Sequence, residues 1–266
     1  MTKLNQIPIP ELFVSPEAAG KLAAEGARLP GWRLTRRQLC DLELLMNGGF
    51  FPLKGFMTQA DCEHVARDMR LASGALWPVP VTLEVGEDFA ARIEPGDDIG
   101  LLDGQDVLLA IMSVTDHWRP GGGMAGPVCL GGKVKGLRPP AGAGTRPNHL
   151  RGLFRDHDRD QVVALDDCAA LPVPEGMVAM LMLLAGDIPA AEHAGLRRRY
   201  ETAIAGHAGA CMAEVNLVAR GQGIRILVLQ ALVARNHGAT HVLAGDEPEL
   251  GKLLEEAGLL LLPHRG

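Results

Sequence analysis

Apolar positions in the first third of the chain recur at helical spacing, and each such stretch opens on a capping signal. Ser15-Pro16 sets a hydroxyl cap before a proline at the first helical position, ahead of an alanine-rich stretch to Ala27. Thr35-Arg36-Arg37-Gln38 has the spacing of a capping box, and Leu39, Leu42, Leu45 and Met46 follow on one face until Gly48-Gly49. Thr58 heads a third helix carrying Cys62, Val65, Ala66 and Met69. The rhythm then changes to period two. Val79, Val81, Leu83 and Val85 predict a strand, and further strands are expected over Ile99–Leu102, Val107–Val114 and Val128–Leu137. The turns between them are Glu94–Asp97, Asp103-Gly104 and a Gly- and Pro-rich stretch, Pro120–Gly126. This pattern predicts a helix-flanked, mainly antiparallel β domain over residues 1–140.

Arg138-Pro139-Pro140-Ala141-Gly142-Ala143-Gly144 has the composition of a linker. Beyond it, strand and helix patterns alternate. Strands are expected at Val162–Leu165, Val215–Val218, His241–Ala244 and Leu259–Leu262. Helices are expected at Glu175–Leu184, Ala191–Ala205, Arg225–Asn236 and Pro248–Ala257. Such alternation predicts an α/β domain over 141–266, a parallel sheet with helices on its faces.

Composition narrows the function classes. A length of 266 residues with 47% apolar content suits one large or two ordinary globular domains. A net charge of −6 gives no electrostatic reason to expect nucleic acid or an anionic membrane as partner. The longest apolar run, Met177–Ala185, is far short of the roughly 18 residues that span a bilayer, and the N-terminus has no long apolar segment of a signal peptide. Cys40, Cys62, Cys129, Cys168 and Cys211 are scattered, with no Cys-x-x-Cys pair, which fits buried thiols in a reducing cytoplasm.

Several patterns invite a sharper reading and lose it in context. Gly121–Gly126 matches Gly-x-Gly-x-x-Gly but lacks the preceding strand and following helix, so it reads as a loop. His237 and His241 straddle a turn and a strand, which argues against zinc, and no metal site is expected. Asp156–Asp160 reads as a solvated loop and Arg197-Arg198-Arg199 as an exposed helix face.

A longer pattern carries a family resemblance. Asp41-Leu42-Glu43-Leu44, Gly48-Gly49-Phe50-Phe51-Pro52-Leu53-Lys54-Gly55-Phe56-Met57 and Leu76-Trp77-Pro78-Val79-Pro80-Val81 resemble an N-terminal signature of ATP sulfurylase (sulfate adenylyltransferase). The match resumes at Gly186-Asp187-Ile188-Pro189, with the arginine cluster and Tyr200 after it, and again at Ala231–His241. The resemblance implies a PUA-like domain followed by a Rossmann-like nucleotidylyltransferase domain. It also shows departures. Where the family strand runs into Gln-Thr-Arg-Asn-Pro-Leu-His-x-x-His, this chain has Leu165 followed by Asp166-Asp167-Cys168-Ala169-Ala170-Leu171-Pro172-Val173-Pro174-Glu175. Pro172 and Glu175 stand at the two histidine positions. The family's Ala-Gly-Pro-Arg-Glu-Ala becomes Gln222–Leu227, keeping only Gly223 and Arg225. Its Gly-Arg-Asp-His-Ala-Gly becomes Gly245-Asp246-Glu247-Pro248-Glu249-Leu250, keeping only Gly245.

These losses bear on chemistry. Adenylyl transfer asks a protein chiefly for positioning and for positive or donor groups around the phosphates. Carboxylates at Asp166, Asp167 and Glu175 repel a polyphosphate, and Pro172 and Pro174 remove backbone donors. Gly223, Arg225 and Gly245 are the remaining candidates for a nucleotide or anion contact, with Mg-ATP the cofactor if any binding survives. The resemblance with loss of site implies a silent adenylyltransferase in the cytoplasm, acting as a homo-oligomeric scaffold of sulfur metabolism, beside or fused to an adenylylsulfate kinase. The alternatives are an active adenylyltransferase on sulfate or another acceptor, with Mg²⁺ on Asp166, Asp167 and Glu175, and a nucleotide-sensing module. The sequence leaves open whether Gly266 is a natural terminus or the edge of a fusion.

Overall fold

The computed structural model describes residues 3–122, 127–186, 188–207, 209–220, 223–244 and 248–263. The chain packs as two units, Pro10–Ala143 and a second that joins Gly144–Gly266 to the first nine residues.

In the first unit, helices α1 (Pro16–Gly26), α2 (Arg36–Met46) and α3 (Gln59–Asp68) start where the capping residues direct. Ser15, Thr35 and Thr58 each accept a hydrogen bond from the backbone N–H three residues on. Gln38 returns the bond to Thr35, which closes the capping box. A short helix, α4 (Glu87–Ala90), follows strand β3 (Leu83–Val85). The sheet runs β1 (Gly31–Arg33), β4 (Asp98–Leu102), β5 (Leu108–Trp118), β6 (Val128–Gly136) and β2 (Gly55–Phe56), with β3 also paired to β6. Every pairing is antiparallel except β1 with β4. Gly132 lets these strands close up, because a Cβ there would overlap the Ser113 carbonyl oxygen.

The strand expected from Val79 to Val85 forms only over its last three residues. Pro78 and Pro80 have no N–H to give to a ladder, so the segment before Leu83 joins no strand, and the Val81 carbonyl accepts from the Met57 N–H instead. The Trp-Pro-Val-Pro-Val signature is therefore a core element. Trp77 is fully buried, donates Nε1–H to the Val79 carbonyl at 2.7 Å and meets Phe50 edge-on at 5.3 Å.

The second unit begins with α5 (Pro147–Asp156). Its sheet has the order β11 (Leu260–Pro263), β10 (His241–Ala244), β7 (Val162–Leu165), β8 (Val178–Leu184), β9 (Cys211–Val215), and every pairing is parallel. Helices α6 (Ala190–Ala205), α7 (Ile224–Asn236) and α8 (Pro248–Glu256) complete it. Two expectations fail here. Residues 175–184 do not form a helix; Val178–Leu184 is the strand β8, buried between β7 and β9. A central parallel strand is apolar on both faces and so shows no alternation to distinguish it from a buried helix. The strand expected over Val215–Val218 lies earlier, at Cys211–Val215, because a tight turn from the Leu217 N–H to the Val215 carbonyl ends it.

A buried arginine helps to hold the N-terminal segment to this second unit, beside the bonds of the Asn5 and Gln6 side chains to the Arg159 carbonyl and of Asn148 to Ile9. Arg151 of α5 donates to the carbonyls of Leu4 and Ile7, both at 2.8 Å, and to those of Arg235 (2.8 Å) and Asn236 (2.7 Å) at the end of α7. The negative end of the helix dipole favours a cation there. Burial, with Arg235 nearby, lowers the guanidinium pKa to about 10.

Candidate functional site

All four residues of β7 are buried, and the chain leaves the sheet at Asp166. No α-helix connects β7 to its parallel neighbour β8. Residues 166–177 make the crossover with a single 3-10 turn, Cys168–Ala170, and extended chain. Parallel strands are usually joined through a helix, and the N-terminus of such a helix is what offers free N–H groups and a favourable dipole to a phosphate. Here the Ala169 N–H is taken by the Asp167 carboxylate at 2.9 Å. This crossover therefore presents no helix N-terminus to an anion.

The crossover is tied down from α6. The Tyr200 hydroxyl donates to the Asp166 carbonyl at 2.5 Å, and Arg199 pairs with Asp167 at 3.1 Å. Burial, then Cys168, Asp167 and Asp166, push the Tyr200 phenol up to about 12, so it stays a donor across the physiological range. Asp167 is a turn cap and α6 partner. Cys168 is half-buried behind it, and Asp166, Pro172 and Glu175 are exposed. Tyr200 and Arg199 hold this junction from more than thirty residues away, so local spacing gives no sign of their role.

The other junction differs. Gly223 precedes α7 with φ 62° and ψ −144°, a conformation that suits glycine, and Arg225 follows in the first turn. Arg225 is half-buried and engaged in contacts of its own. Gly245, Asp246 and Glu247 lie outside the described residues. Pro248 is the first residue of α8, where its missing N–H is harmless.

Between the sheet and helices α7 and α8 the void is only about 70 Å³, lined by Ala164, Leu165, Met182, Leu227 and Leu250 with Asp166 as its one acidic residue. Ligand pockets commonly measure about 300–1,000 Å³. Mg-ATP does not fit this void, which is small and apolar and whose charged group is a carboxylate. Among the described residues no three metal-ligating side chains converge, so Asp166, Asp167 and Glu175 form no magnesium cluster.

Comparison with known proteins adds independent observations. Residues 4–124 match the model of a PUA-like domain. The chain is 31% identical to a sulfate adenylyltransferase of Eremothecium gossypii, over 87% of this chain and 54% of that one. It is 30% identical to the sulfate adenylyltransferase of Saccharomyces cerevisiae, over 84% of this chain and 52% of that one. A solved structure described as a hexameric APS kinase from Thiobacillus denitrificans superimposes with a TM-score of 0.83 at 27% identity, covering 99% of this chain and 56% of that chain. The chain therefore spans about half the length of the relatives it matches. No helix among the described residues is long and apolar enough to cross a membrane.

Proposed function

We propose, from a PUA-like domain and relatives that together support the ATP sulfurylase family, that this chain is a nucleotidyltransferase-like protein of sulfur metabolism that no longer transfers adenylyl groups. Its role is that of a scaffold or oligomerisation module in the cytoplasm, working with an adenylylsulfate kinase. The observation that carries the reading is the helix-free crossover after β7. Without that helix N-terminus, and with Asp166, Asp167 and Glu175 in the crossover, this junction offers a triphosphate little to stabilise developing charge, and Arg199 beside it is paired with Asp167. Removing one such group commonly costs about 10²–10³ in rate, and here several are missing together. The similarity to a hexameric kinase structure favours self-association as the retained task.

The test is calorimetric titration of the purified chain with ATP and with adenylyl sulfate, both with Mg²⁺, alongside sulfate-dependent exchange of pyrophosphate into ATP. The expected result is no saturable nucleotide binding, no exchange, and a concentration-independent oligomer by light scattering. Exchange above the protein-free rate would overturn the reading. Saturable binding without turnover would replace it with nucleotide sensing, for which the retained Gly223 and Arg225 would be the contacts to mutate.

A further inference from the structure

The crossover that replaces a helix leaves a space of its own. A cavity of about 580 Å³ lies between the loop Ala169–Glu175 and the sheet residues Val163, Leu165, Leu243 and Leu262. These four side chains belong to one apolar cluster with Leu171 and Val173. The volume falls within the range of small-molecule pockets, about 300–1,000 Å³.

The chemistry of its wall is one-sided. Among the described residues Glu175 is the only one in the lining with a polar side chain, and a carboxylate only accepts hydrogen bonds. The backbone donors of the wall are largely spent or missing. The N–H groups of Ala169 and Ala170 go to Asp167, that of Leu171 goes to Cys168, and Pro172 and Pro174 have none. Among the described residues, what lines the cavity is apolar side chains and one carboxylate. Such a wall rejects sulfate, phosphate and carboxylate groups, and rewards an apolar body that carries a donor.

We propose that this cavity is a binding site for small molecules that join an apolar or aromatic body to an ammonium or other cationic N–H head. The body would lie on Leu243 and Leu262 and the head would meet Glu175. The inference goes beyond the scaffold reading, and neither depends on the other.

A matched pair of probes tests it on the full chain: 4-phenylbutylamine and 4-phenylbutyrate, which share body and length and differ in the sign of the head. The amine is expected to bind saturably, one per chain, with a dissociation constant on the order of 1 mM or tighter. The acid is expected to bind about three- to fivefold more weakly, the scale of a solvent-exposed charge contact. Glu175→Gln, a change at an exposed position, should remove most of that preference. Intermolecular NMR contacts should connect the aryl protons of the amine to the methyls of Leu243 and Leu262, a readout that needs no variant. Val173→Trp or Ala170→Phe, whichever retains native circular dichroism, should abolish binding by filling the space. The proposal is overturned by absence of saturable amine binding, by equal or tighter binding of the acid, or by aryl contacts elsewhere on the protein.

Discussion

The junction before α7 and the junction after β7 are built differently. Before α7 the chain keeps a glycine at positive φ running directly into a helix that carries Arg225 in its first turn. After β7 it runs into a latched loop whose one turn is capped by Asp167. The sheet beneath both is intact and parallel. Strand framework and chemical site are therefore separable: hydrophobic burial holds the first, and the second depends on helix ends and charges that contribute little to it.

The largest way to disturb this contrast is through the shared framework. Leu181, fully buried in β8 beneath the crossover, should lose about 2–5 kcal/mol of stability on Leu181→Ala, read from chemical denaturation. The loss should be global, and a change confined to the crossover would contradict the idea of a common core. Gly223→Ala probes the retained junction. The positive φ makes it cost about 1–2 kcal/mol, with faster amide exchange in the first turn of α7. Tyr200→Phe probes the latched junction. Loss of the bond to the Asp166 carbonyl should cost about 1 kcal/mol and raise exchange across residues 166–171, leaving α7 unchanged.

A smaller effect comes from pH. His237 is fully buried at the end of α7, with Nδ1 2.8 Å from the Val233 carbonyl and Nε2 3.1 Å from the Thr145 carbonyl. Burial pushes its pKa below the ordinary 6.5, outweighing the two carbonyls that favour the cation, and the charge on Arg151 adds to the lowering. The unfolded chain then takes up a proton before the folded chain does. Stability should fall as pH drops from about 6.5 toward the folded value, and His237→Phe should flatten that slope. An unchanged slope in the variant would assign the acid sensitivity elsewhere, with His241, whose pKa burial also lowers, the next group to test.

How far the sequence reveals this structure depends on the kind of signal each element gives. The capping hydroxyls at Ser15, Thr35 and Thr58 are local and name their helices directly. The pattern before His241 likewise places α7 and β10. Strand β8 is obscured because Val178–Leu184 is apolar throughout, and only the preceding Gly176 hints at a break. Helix α5 had a usable signal, proline at its first position with Leu150 and Phe154 four apart, next to a stretch that reads as linker. At the candidate site, the absence of histidine and arginine from residues 166–175 is visible as letters. The missing helix is not, because it takes the position of β8 in the fold to show that residues 166–177 have no room for one. The latch by Tyr200 and Arg199 joins distant positions, which periodicity cannot see.

The Arg151 clamp also sets an order of assembly during synthesis. Residues 10–143 are contiguous, so that unit has all its strands as soon as they emerge. Residues 4–7 must wait for carbonyl-binding Arg151 and for the end of α7 at Asn236. At about 5–20 residues per second that interval is roughly 10–45 s. The clamp therefore closes in two stages: Arg151 and the Arg159 carbonyl engage residues 4–7 first, and the carbonyls of Arg235 and Asn236 fix the arginine last.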